Sequence, residues 1–310
     1  MAKIVMVMGY PSAGKSSIAN FYKDQGFIWL NRDKEGGKVS DLVPKMIDAL
    51  RKGKDIVLDN TFPTIESRKP FIVVAKKHDV TITCDWLQAT IEDSQFNACV
   101  RMVKHYGKLL MPDEIKSNPS PNIFPPAVLF KYRKLFEQPT VAEGFGRIDK
   151  RPFVRNLPKK CKNAALILDY DGTLRRTKDG AKWPVDPQNI AILSGRIAVL
   201  RKYEKKGYAL LGVSNQSGIS KGALTHAQAK ACFDATNRML KMDIEYAYCP
   251  HSPAPISCYC RKPMSGLGVA FIMKHNLNPS ECVFVGDQTT DKTFAGRCGF
   301  QFVHADDFFG

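Results

Sequence analysis

The chain begins with a loop whose residue types suit the binding of a nucleoside triphosphate. The segment Gly9-Tyr10-Pro11-Ser12-Ala13-Gly14-Lys15-Ser16 has the form G-x-x-x-x-G-K-[ST] and follows an apolar run that predicts a strand. Its glycines allow backbone amides to point at phosphate oxygens, while Lys15 neutralises the β- and γ-phosphates and the Ser16 hydroxyl binds Mg²⁺. A chance glycine-rich turn is the alternative. We predict contacts to ATP from Gly9, Ser12, Ala13, Gly14, Lys15, Ser16 and Ser17.

Polar side chains follow the next apolar runs of the first half. Asp33 comes after Phe27–Leu30, and because ligands bind at the carboxyl ends of parallel strands, its carboxylate could accept the proton of an attacking hydroxyl. A helix N-cap is the alternative for Asp33. Arg101, in a helical stretch after Val80–Leu87, is placed like a lid residue that clamps the transferred phosphate; an exposed helix arginine is its alternative. Further predicted substrate and phosphate ligands are Arg32, Asp59, Asn60 and Thr61.

A second set of phosphate-chemistry residues lies past the midpoint. Asp169 and Asp171 follow the buried run Ala165–Leu168, and on an extended segment residues two apart point the same way. Asp169 would attack phosphorus, and Asp171 would protonate the leaving oxygen and then activate water. Two carboxylates this close repel each other, which implies Mg²⁺ between them, with Asp287 completing the metal site. Later strand ends add phosphate ligands and a positive charge, namely Ser214, Asn215 and Lys262.

Three thiols and one imidazole cluster shortly before Lys262. Cys249, His251, Cys258 and Cys260 match the ligand set of a closed, tetrahedral, structural Zn²⁺ site. Such a metal would hold Lys262 in place. Two disulfides or free thiols are the alternative.

The elements that must position these residues alternate along the chain. Apolar β-rich runs alternate with helical stretches in both halves, which predicts an α/β protein with two doubly wound parallel-sheet domains. We predict a nucleotide-binding domain over residues 1–150, a linker over 151–163 and a second domain over 164–310, with the zinc loop at 249–263.

Both halves of the chain resemble known protein families. Residues 1–150 resemble the kinase domain of polynucleotide kinase/phosphatases, the animal type most closely, through the Gly9–Ser16 loop, Asn-Arg-Asp, Asp-Asn-Thr and the segment Tyr132–Phe145. The resemblance implies a P-loop kinase in which Asp33 is the general base for a 5′-hydroxyl and Arg101 is the lid arginine. It gives the segment Tyr132–Phe145 no catalytic role.

The second half resembles the haloacid-dehalogenase-type (Rossmann-like) phosphatases through Asp-x-Asp-Gly-Thr, Ser-Asn-Gln, Arg-Lys-Pro and Gly-Asp. Its cysteine loop is similar to the zinc-containing branch, which includes heptose-bisphosphate and histidinol-phosphate phosphatases. Animal polynucleotide phosphatase domains share the other elements, but we do not expect the zinc loop in them.

Charge bears on the substrate. The net charge is +16 and the sequence pI is about 9.4, which favours a polyanionic partner, although the dense basic stretch over residues 147–162 could be only a solvated surface. We therefore predict a bifunctional end-healing enzyme that phosphorylates 5′-hydroxyl ends and removes 3′-phosphates, with DNA or RNA ends and a downstream ligase as partners.

The alternative is a small-metabolite kinase fused to a heptose-bisphosphate- or histidinol-phosphate-like phosphatase. A third class, a nucleic-acid-binding module with decayed active sites, is disfavoured because Lys15, Ser16, Asp33, Asp169 and Asp171 are all present. No apolar run is long enough to span a bilayer and the N-terminus leads straight into a strand, so we expect an intracellular protein, cytoplasmic or nuclear, with no membrane partner.

Overall fold

The computed structural model describes residues 2–155 and 157–310. The chain forms two compact units, one from residues 2–97 and 119–155 and the other from residues 98–118 and 157–310. Each contains a five-stranded sheet whose neighbouring strands are parallel, which confirms the predicted α/β class. Within the described residues, no helix is both long enough and apolar enough to cross a bilayer.

The sheet of the first unit has the strand order β2-β3-β1-β4-β5. Its strands are β1 Ile4–Met8, β2 Ile28–Asn31, β3 Ile56–Asp59, β4 Ile82–Gln88 and β5 Arg147–Pro152. Alternate residues of the central strand β1 face opposite sides of a sheet. Ile4, Met6 and Met8 accordingly enter one hydrophobic cluster, whereas Val5 and Val7 enter another. Both faces of this sheet are therefore covered, as in a doubly wound fold.

Helices follow these strands. They are α1 Lys15–Asp24, α2 Arg32–Glu35, α3 Leu42–Arg51, α4 Ile65–Lys77, α5 Ile91–Tyr106, α6 Pro112–Lys116 and α7 Pro126–Leu135. Thr64 caps α4 by accepting from the amide of Ser67, whose hydroxyl in turn accepts from the Thr64 amide. The end of α5, from Ala98 onward, and the whole of α6 belong to the second unit.

A buried ion pair gives the segment Tyr132–Phe145 a structural role. Arg68 on α4 is fully buried and donates from Nε and Nη2 to the carboxylate of Glu143, at 2.7 and 2.9 Å. Its Nη1 donates to the carbonyl oxygens of Phe62 and Glu137, both at 3.1 Å. Because a buried guanidinium must be paired, this arginine fixes the segment against α4 within the first unit.

The second unit contains a parallel sheet of order β10-β9-β6-β11-β12 and an antiparallel pair, β7-β8. Its strands are β6 Ala165–Leu168, β7 Arg175–Thr177, β8 Ile190–Ile192, β9 Ala209–Asn215, β10 Glu245–Cys249, β11 Val283–Gly286 and β12 Gln301–His304. Its remaining helices are α8 Arg196–Lys205, α9 His226–Leu240, α10 Gly266–His275, α11 Thr289–Cys298 and α12 Ala305–Phe309.

Three strands were not predicted, namely β5, β7 and β8. The polar edge strand β5 runs from Arg147 to Pro152 and so enters the segment predicted as a linker, while the two units divide after Arg155. The structure also groups residues 98–118 with the second unit rather than the first. The predicted domain limits stay a prediction, because compactness alone does not define independently folding domains.

Candidate active sites

The phosphate-binding loop lies between β1 and α1, in the predicted strand–loop–helix context. Gly9 has φ 144°, and a Cβ there would lie 2.9 Å from the carbonyl oxygen of Leu87, so only glycine fits without a shift. Gly14 has φ 96° and precedes Lys15, the first residue of α1. The Lys15 Nζ donates to the carbonyl oxygens of Gly9 and Tyr10, at 3.2 and 2.8 Å, which folds it back over the loop.

Beside this loop, Asp59 forms a polar group with Ser16 and Asn31. The Ser16 hydroxyl donates to Asp59 Oδ2 at 3.1 Å, and Asn31 Nδ2 donates to the same oxygen at 3.0 Å. Burial raises the pKa of Asp59 above its ordinary value, although the nearby Lys15 charge opposes the shift. The hydroxyl predicted to bind Mg²⁺ therefore lies within hydrogen-bond distance of a carboxylate, a donor set that suits Mg²⁺.

Asp33 is accessible at the end of β2. Its carboxylate pairs with the guanidinium of Arg32, and its side chain is 31% exposed. The N-cap of α2 is Asn31, whose Oδ1 accepts from the amide of Lys34 at 3.1 Å. The capping alternative for Asp33 is therefore wrong, whereas its role as a base stays a prediction.

The other predicted residues of this site occupy different surroundings. Asn60 Nδ2 is buried without a hydrogen-bond partner among the residues described, and Thr61 contributes a carbonyl oxygen that accepts from the Tyr132 hydroxyl at 3.4 Å. Ser12 has φ 61°, and its hydroxyl is likewise buried without a described partner. Arg101 lies on the part of α5 that belongs to the second unit, where its charge acts on Tyr259. The lid role of Arg101 stays a prediction.

In the second unit, Lys262 joins two carboxylates. Its buried Nζ donates to Asp169 Oδ1 at 2.6 Å and to the carbonyl oxygen of Val213 at 2.9 Å, and it lies 2.7 Å from Asp291 Oδ1. Burial alone would lower the pKa of Lys262, but the two carboxylates raise it above its ordinary value. Lys262 therefore carries its positive charge at the predicted nucleophile.

Three carboxylates converge here, from Asp169, Asp287 and Asp291, with one oxygen each within 4.8 Å of the others. Asp287 Oδ1 is buried without a hydrogen-bond partner among the described residues. Gly172 has φ 89°, and a Cβ at this position would collide with the Asp287 carboxylate. An all-oxygen set with an unsatisfied buried oxygen fits a hard cation such as Mg²⁺.

The electrostatics of Asp169 agree with this assignment. Burial raises its pKa to about 7; Lys262 opposes the shift, and the charges of Asp291 and Asp171 add to it. Positive charge among these carboxylates would lower that pKa and keep Asp169 ionised, as a nucleophile requires.

Asp171 was predicted as a Mg²⁺ ligand, but its carboxylate does not belong to this group of three. Its Oδ1 accepts from Arg175 Nε at 2.8 Å, and its Oδ2 accepts from Gln216 Nε2 at 3.0 Å. Arg175 follows Asp171 by four residues, and the two residues form an isolated bridge across a tight turn. The local chain therefore directs the two carboxylates of the motif to different partners.

The two predicted phosphate ligands at the end of β9, Ser214 and Asn215, also have different hydrogen-bond partners. Asn215 exchanges two hydrogen bonds with the backbone of Lys262: its Oδ1 accepts from the amide at 2.9 Å, and its Nδ2 donates to the carbonyl at 3.1 Å. Ser214 is buried, and its hydroxyl oxygen accepts from Gln216 Nε2 at 3.0 Å. Asn215 thus holds the lysine loop in place.

The cysteine loop follows β10 and forms a compact ligand set. The four atoms of Cys249, His251, Cys258 and Cys260 all lie within 4.8 Å of one another. Tetrahedral Zn²⁺ bonds of about 2.3 Å to sulfur and 2.0–2.1 Å to nitrogen place two sulfurs about 3.8 Å apart and sulfur and nitrogen about 3.6 Å apart. The observed separations from Cys249 Sγ are 3.7 Å to Cys258 Sγ and 3.5 Å to His251 Nδ1. The residues fit Zn²⁺, and none of the three cysteines in this set forms a disulfide in the structure.

Comparison with known proteins bears on the second unit. The family profile described as "Polynucleotide kinase 3 phosphatase" matches residues 165–309. The Haemophilus influenzae D-glycero-beta-D-manno-heptose-1,7-bisphosphate 7-phosphatase is 33% identical over 138 residues, 42% of this chain and 73% of that protein. Through its C-terminal half, the chain belongs to the haloacid-dehalogenase-type phosphatases.

Two further similarities accompany this phosphatase domain. The Schizosaccharomyces pombe "Bifunctional polynucleotide phosphatase/kinase" is 35% identical over 173 residues, 55% of this chain, but the match spans only 36% of that protein's length. The crystal structure of a B. bronchiseptica heptose 1,7-bisphosphate phosphatase with magnesium and phosphate shows 24% identity and a TM-score of 0.40, over 45% of this chain and 78% of that one.

Several residues of the phosphatase domain's site were not among the predicted ligands. Asp291 completes the carboxylate group, and Arg175 and Gln216 hold Asp171. The spacing of Asp287 and Asp291, four residues apart with α11 beginning between them, is the signal that could have indicated Asp291. Nothing local in the sequence indicates that Arg175 turns toward Asp171.

Proposed function

We propose that the chain is a bifunctional nucleic-acid end-healing enzyme, which phosphorylates 5′-hydroxyl ends with ATP and hydrolyses 3′-phosphate ends. The observation that carries this proposal is the presence, in one chain, of a P-loop with Ser16 and Asp59 beside it and of a phosphatase site built on Asp169 and Lys262. Similarity of residues 165–309 to polynucleotide 3′-phosphatases and the net charge of +16 support a polynucleotide substrate.

In the kinase reaction, the 5′-hydroxyl oxygen attacks the γ-phosphorus of ATP, and the bond from that phosphorus to the β–γ bridging oxygen breaks. Asp33, accessible at the end of β2, takes the hydroxyl proton, and ADP leaves. Lys15, on the loop, neutralises charge on the transferred phosphoryl group. Arg101 is proposed to close over the same phosphate from α5.

In the phosphatase reaction, an Asp169 oxygen attacks the phosphorus of the 3′-phosphate and the bond to the 3′-oxygen breaks. Asp171 gives its proton to that leaving oxygen, and an aspartyl-phosphate remains. Water then attacks this phosphorus, Asp171 accepts the water proton, and phosphate leaves with the original carboxylate restored. Lys262 stabilises charge on the phosphoryl oxygens from its position against Asp169.

Two metals fit the residues present. Mg²⁺ would be held by Ser16 at the kinase site and by Asp169, Asp287 and Asp291 at the phosphatase site, where it supplies electrostatic stabilisation of the transferred phosphoryl group. Zn²⁺ would be held by the three cysteines and His251 as a structural ion, which fixes the loop that leads into Lys262. DNA or RNA ends are the proposed partners, with a ligase acting on the product.

One observation favours a second candidate. The match to the Haemophilus influenzae heptose-bisphosphate phosphatase covers 73% of that protein's length. The chain also has a cysteine–histidine cluster that resembles the metal-binding loop of zinc-containing small-molecule phosphatases. On this reading the enzyme would be a metabolite kinase fused to a phosphatase for a sugar phosphate or histidinol phosphate.

The deciding experiment uses the full chain with ATP, Mg²⁺ and an oligonucleotide that carries a 5′-hydroxyl and a 3′-phosphate. Mass spectrometry of the product should show a 5′-phosphate and a 3′-hydroxyl. Lys15→Ala should remove only the first change, since it deletes the positive charge that neutralises the transferred phosphoryl group, and Asp169→Asn only the second, since an amide is not a phosphoryl acceptor. A specificity constant that clearly favours heptose bisphosphate or histidinol phosphate over the oligonucleotide would overturn the proposal.

A further inference from the structure

Arg175 is a buried charge whose partners lie beside the phosphatase site. Its side chain is 1% exposed and is stacked against the rings of Phe233 and Tyr170, with the guanidinium carbon 4.9 and 5.3 Å from their centres. Its Nη1 donates to the Cys232 carbonyl at 2.7 Å and to the Thr236 hydroxyl at 2.9 Å. These contacts to α9 fix the guanidinium plane.

The remaining edge of that plane faces Asp171. Arg175 Nε donates to Asp171 Oδ1 at 2.8 Å, which anchors one oxygen of the carboxylate. Gln216 anchors the other oxygen, because its Nε2 donates both to Asp171 Oδ2 and to Ser214 Oγ, each at 3.0 Å. The Asp171 side chain is still 21% exposed, so it remains accessible from outside.

We propose that Arg175, with Gln216, is a positioning residue that fixes the Asp171 carboxylate for proton transfer to the leaving oxygen. This inference rests on the proposed phosphatase reaction. It does not depend on which phosphate ester is the natural substrate. The described hydrogen bonds of Arg175 go to Asp171 and to α9, so it would act through Asp171.

Packing alone does not account for an arginine at this place. The space between two aromatic rings and an apolar helix face could be filled by a methionine or leucine, whereas burying a guanidinium is costly unless every donor is paired. The only carboxylate among the described hydrogen-bond partners of Arg175 is Asp171, the residue whose orientation the proposed reaction needs. A freely rotating aspartate would reach the leaving oxygen in only a fraction of its conformations.

The test compares two aryl phosphates that differ in how much their leaving groups need a proton. The leaving group of p-nitrophenyl phosphate is stable as an anion, whereas that of phenyl phosphate gains much more from protonation. Arg175→Met should lower kcat/KM for phenyl phosphate at least about tenfold more than for p-nitrophenyl phosphate, since general acids contribute about 10²–10⁴-fold. The constant kcat/KM is used because it reports only the steps through formation of the aspartyl-phosphate.

Two further variants keep the test decisive. Gln216→Met removes the other anchor and should give the same selective loss, even if Arg175→Met fails to fold. Arg196→Met is the matched control, because Arg196 is also buried but donates to the carbonyl oxygens of Thr173 and Ser194, at 3.0 and 2.9 Å. It should affect both substrates equally.

The outcomes separate the inference from the proposed function. Equal losses on both substrates in Gln216→Met and in any folded Arg175→Met would overturn the positioning role. A wild-type enzyme that hydrolyses neither these esters nor a 3′-phosphorylated oligonucleotide, or an Asp169→Asn variant that still hydrolyses them, would overturn the phosphatase mechanism itself.

Discussion

Asp33 lies in α2, two residues after the end of β2, and Asp59 ends the neighbouring strand β3, yet their surroundings give them different capacities. Asp59 is buried, and its Oδ2 accepts hydrogen bonds from Ser16 and Asn31, so this oxygen is already committed beside the phosphate loop. Asp33 is partly exposed and its described ion pair is with the adjacent Arg32, an arrangement that substrate can readily displace. The proton acceptor for an incoming hydroxyl is therefore expected to be Asp33.

Asp33→Asn should lower 5′-phosphorylation about a hundredfold or more, while ATP still binds, because general-base catalysis contributes on this scale and the loop alone holds the triphosphate. Single-turnover phosphorylation and ATP binding by calorimetry measure the two properties separately. Asp48→Asn is the control, since Asp48 is an exposed helix residue paired with Lys52. Near-normal turnover in Asp33→Asn would return this residue to a surface role.

Sequence motifs predicted the site residues that lie close together in the sequence. They missed Arg175, whose orientation depends on residues that are distant in the sequence and are brought close only by the fold. Lys15, Asp169 and the cysteine ligands come from local spacings that chemistry constrains. Arg175 lies only four residues after Asp171, but its orientation depends on Thr236 and Phe233 of a helix that begins about fifty residues later. No spacing rule contains that information.

Among the elements, the loop between β10 and α10 carries both the thiol cluster and Lys262. Residues of this loop are buried without being part of a helix or strand: Cys258, Tyr259 and Cys260 are each at most 4% exposed. A loop can be buried in this way only when its polar groups are satisfied, and a metal centre is one means of holding it. A metal bound by the cysteines would therefore help to fix the position of Lys262.

Zn²⁺ should co-purify at about one equivalent per chain, as measured by plasma mass spectrometry on protein prepared without chelators. Cys258→Ser should lose the metal, lower the melting temperature of the phosphatase domain and weaken phosphatase activity through displacement of Lys262. Cys161→Ser, at a partly exposed cysteine outside the cluster, is the control and should retain the metal. Protein that contains no zinc but has full phosphatase activity would contradict the site.

Strands whose side chains are buried on both faces of the sheet were predicted from the sequence. Strands with exposed, polar side chains were not. Strand β6 was predicted over its observed range because all four residues are buried and apolar. Strand β5 reads Arg-Ile-Asp-Lys-Arg-Pro and lies at a sheet edge, where charged side chains remain in water. An edge strand of this kind shows neither an apolar run nor clear alternation, so pairing with β4 alone defines it.

For the whole molecule, charge is the property that separates the two candidate functions. Lysine and arginine number 46 against 30 aspartates and glutamates, although both sites need negative side chains for catalysis and metal binding. A small sugar phosphate does not require such an excess. The excess favours a polynucleotide, because neutralising several backbone phosphates releases counterions and contributes much of the affinity.

Oligonucleotide binding should therefore weaken steeply as salt rises, with a log–log slope of about −0.7 for each phosphate contact on single strands. Fluorescence anisotropy over a range of KCl concentrations measures this slope. If the basic stretch over residues 147–162 contacts the strand, the double change Lys159→Gln and Lys160→Gln should make the slope shallower by about 1.4, since two contacts are lost. Lys52→Gln, at an exposed lysine that pairs with Asp48, should leave the slope unchanged. A slope near zero, together with rapid hydrolysis of heptose bisphosphate, would favour the metabolite enzyme, because a compact substrate releases few counterions on binding.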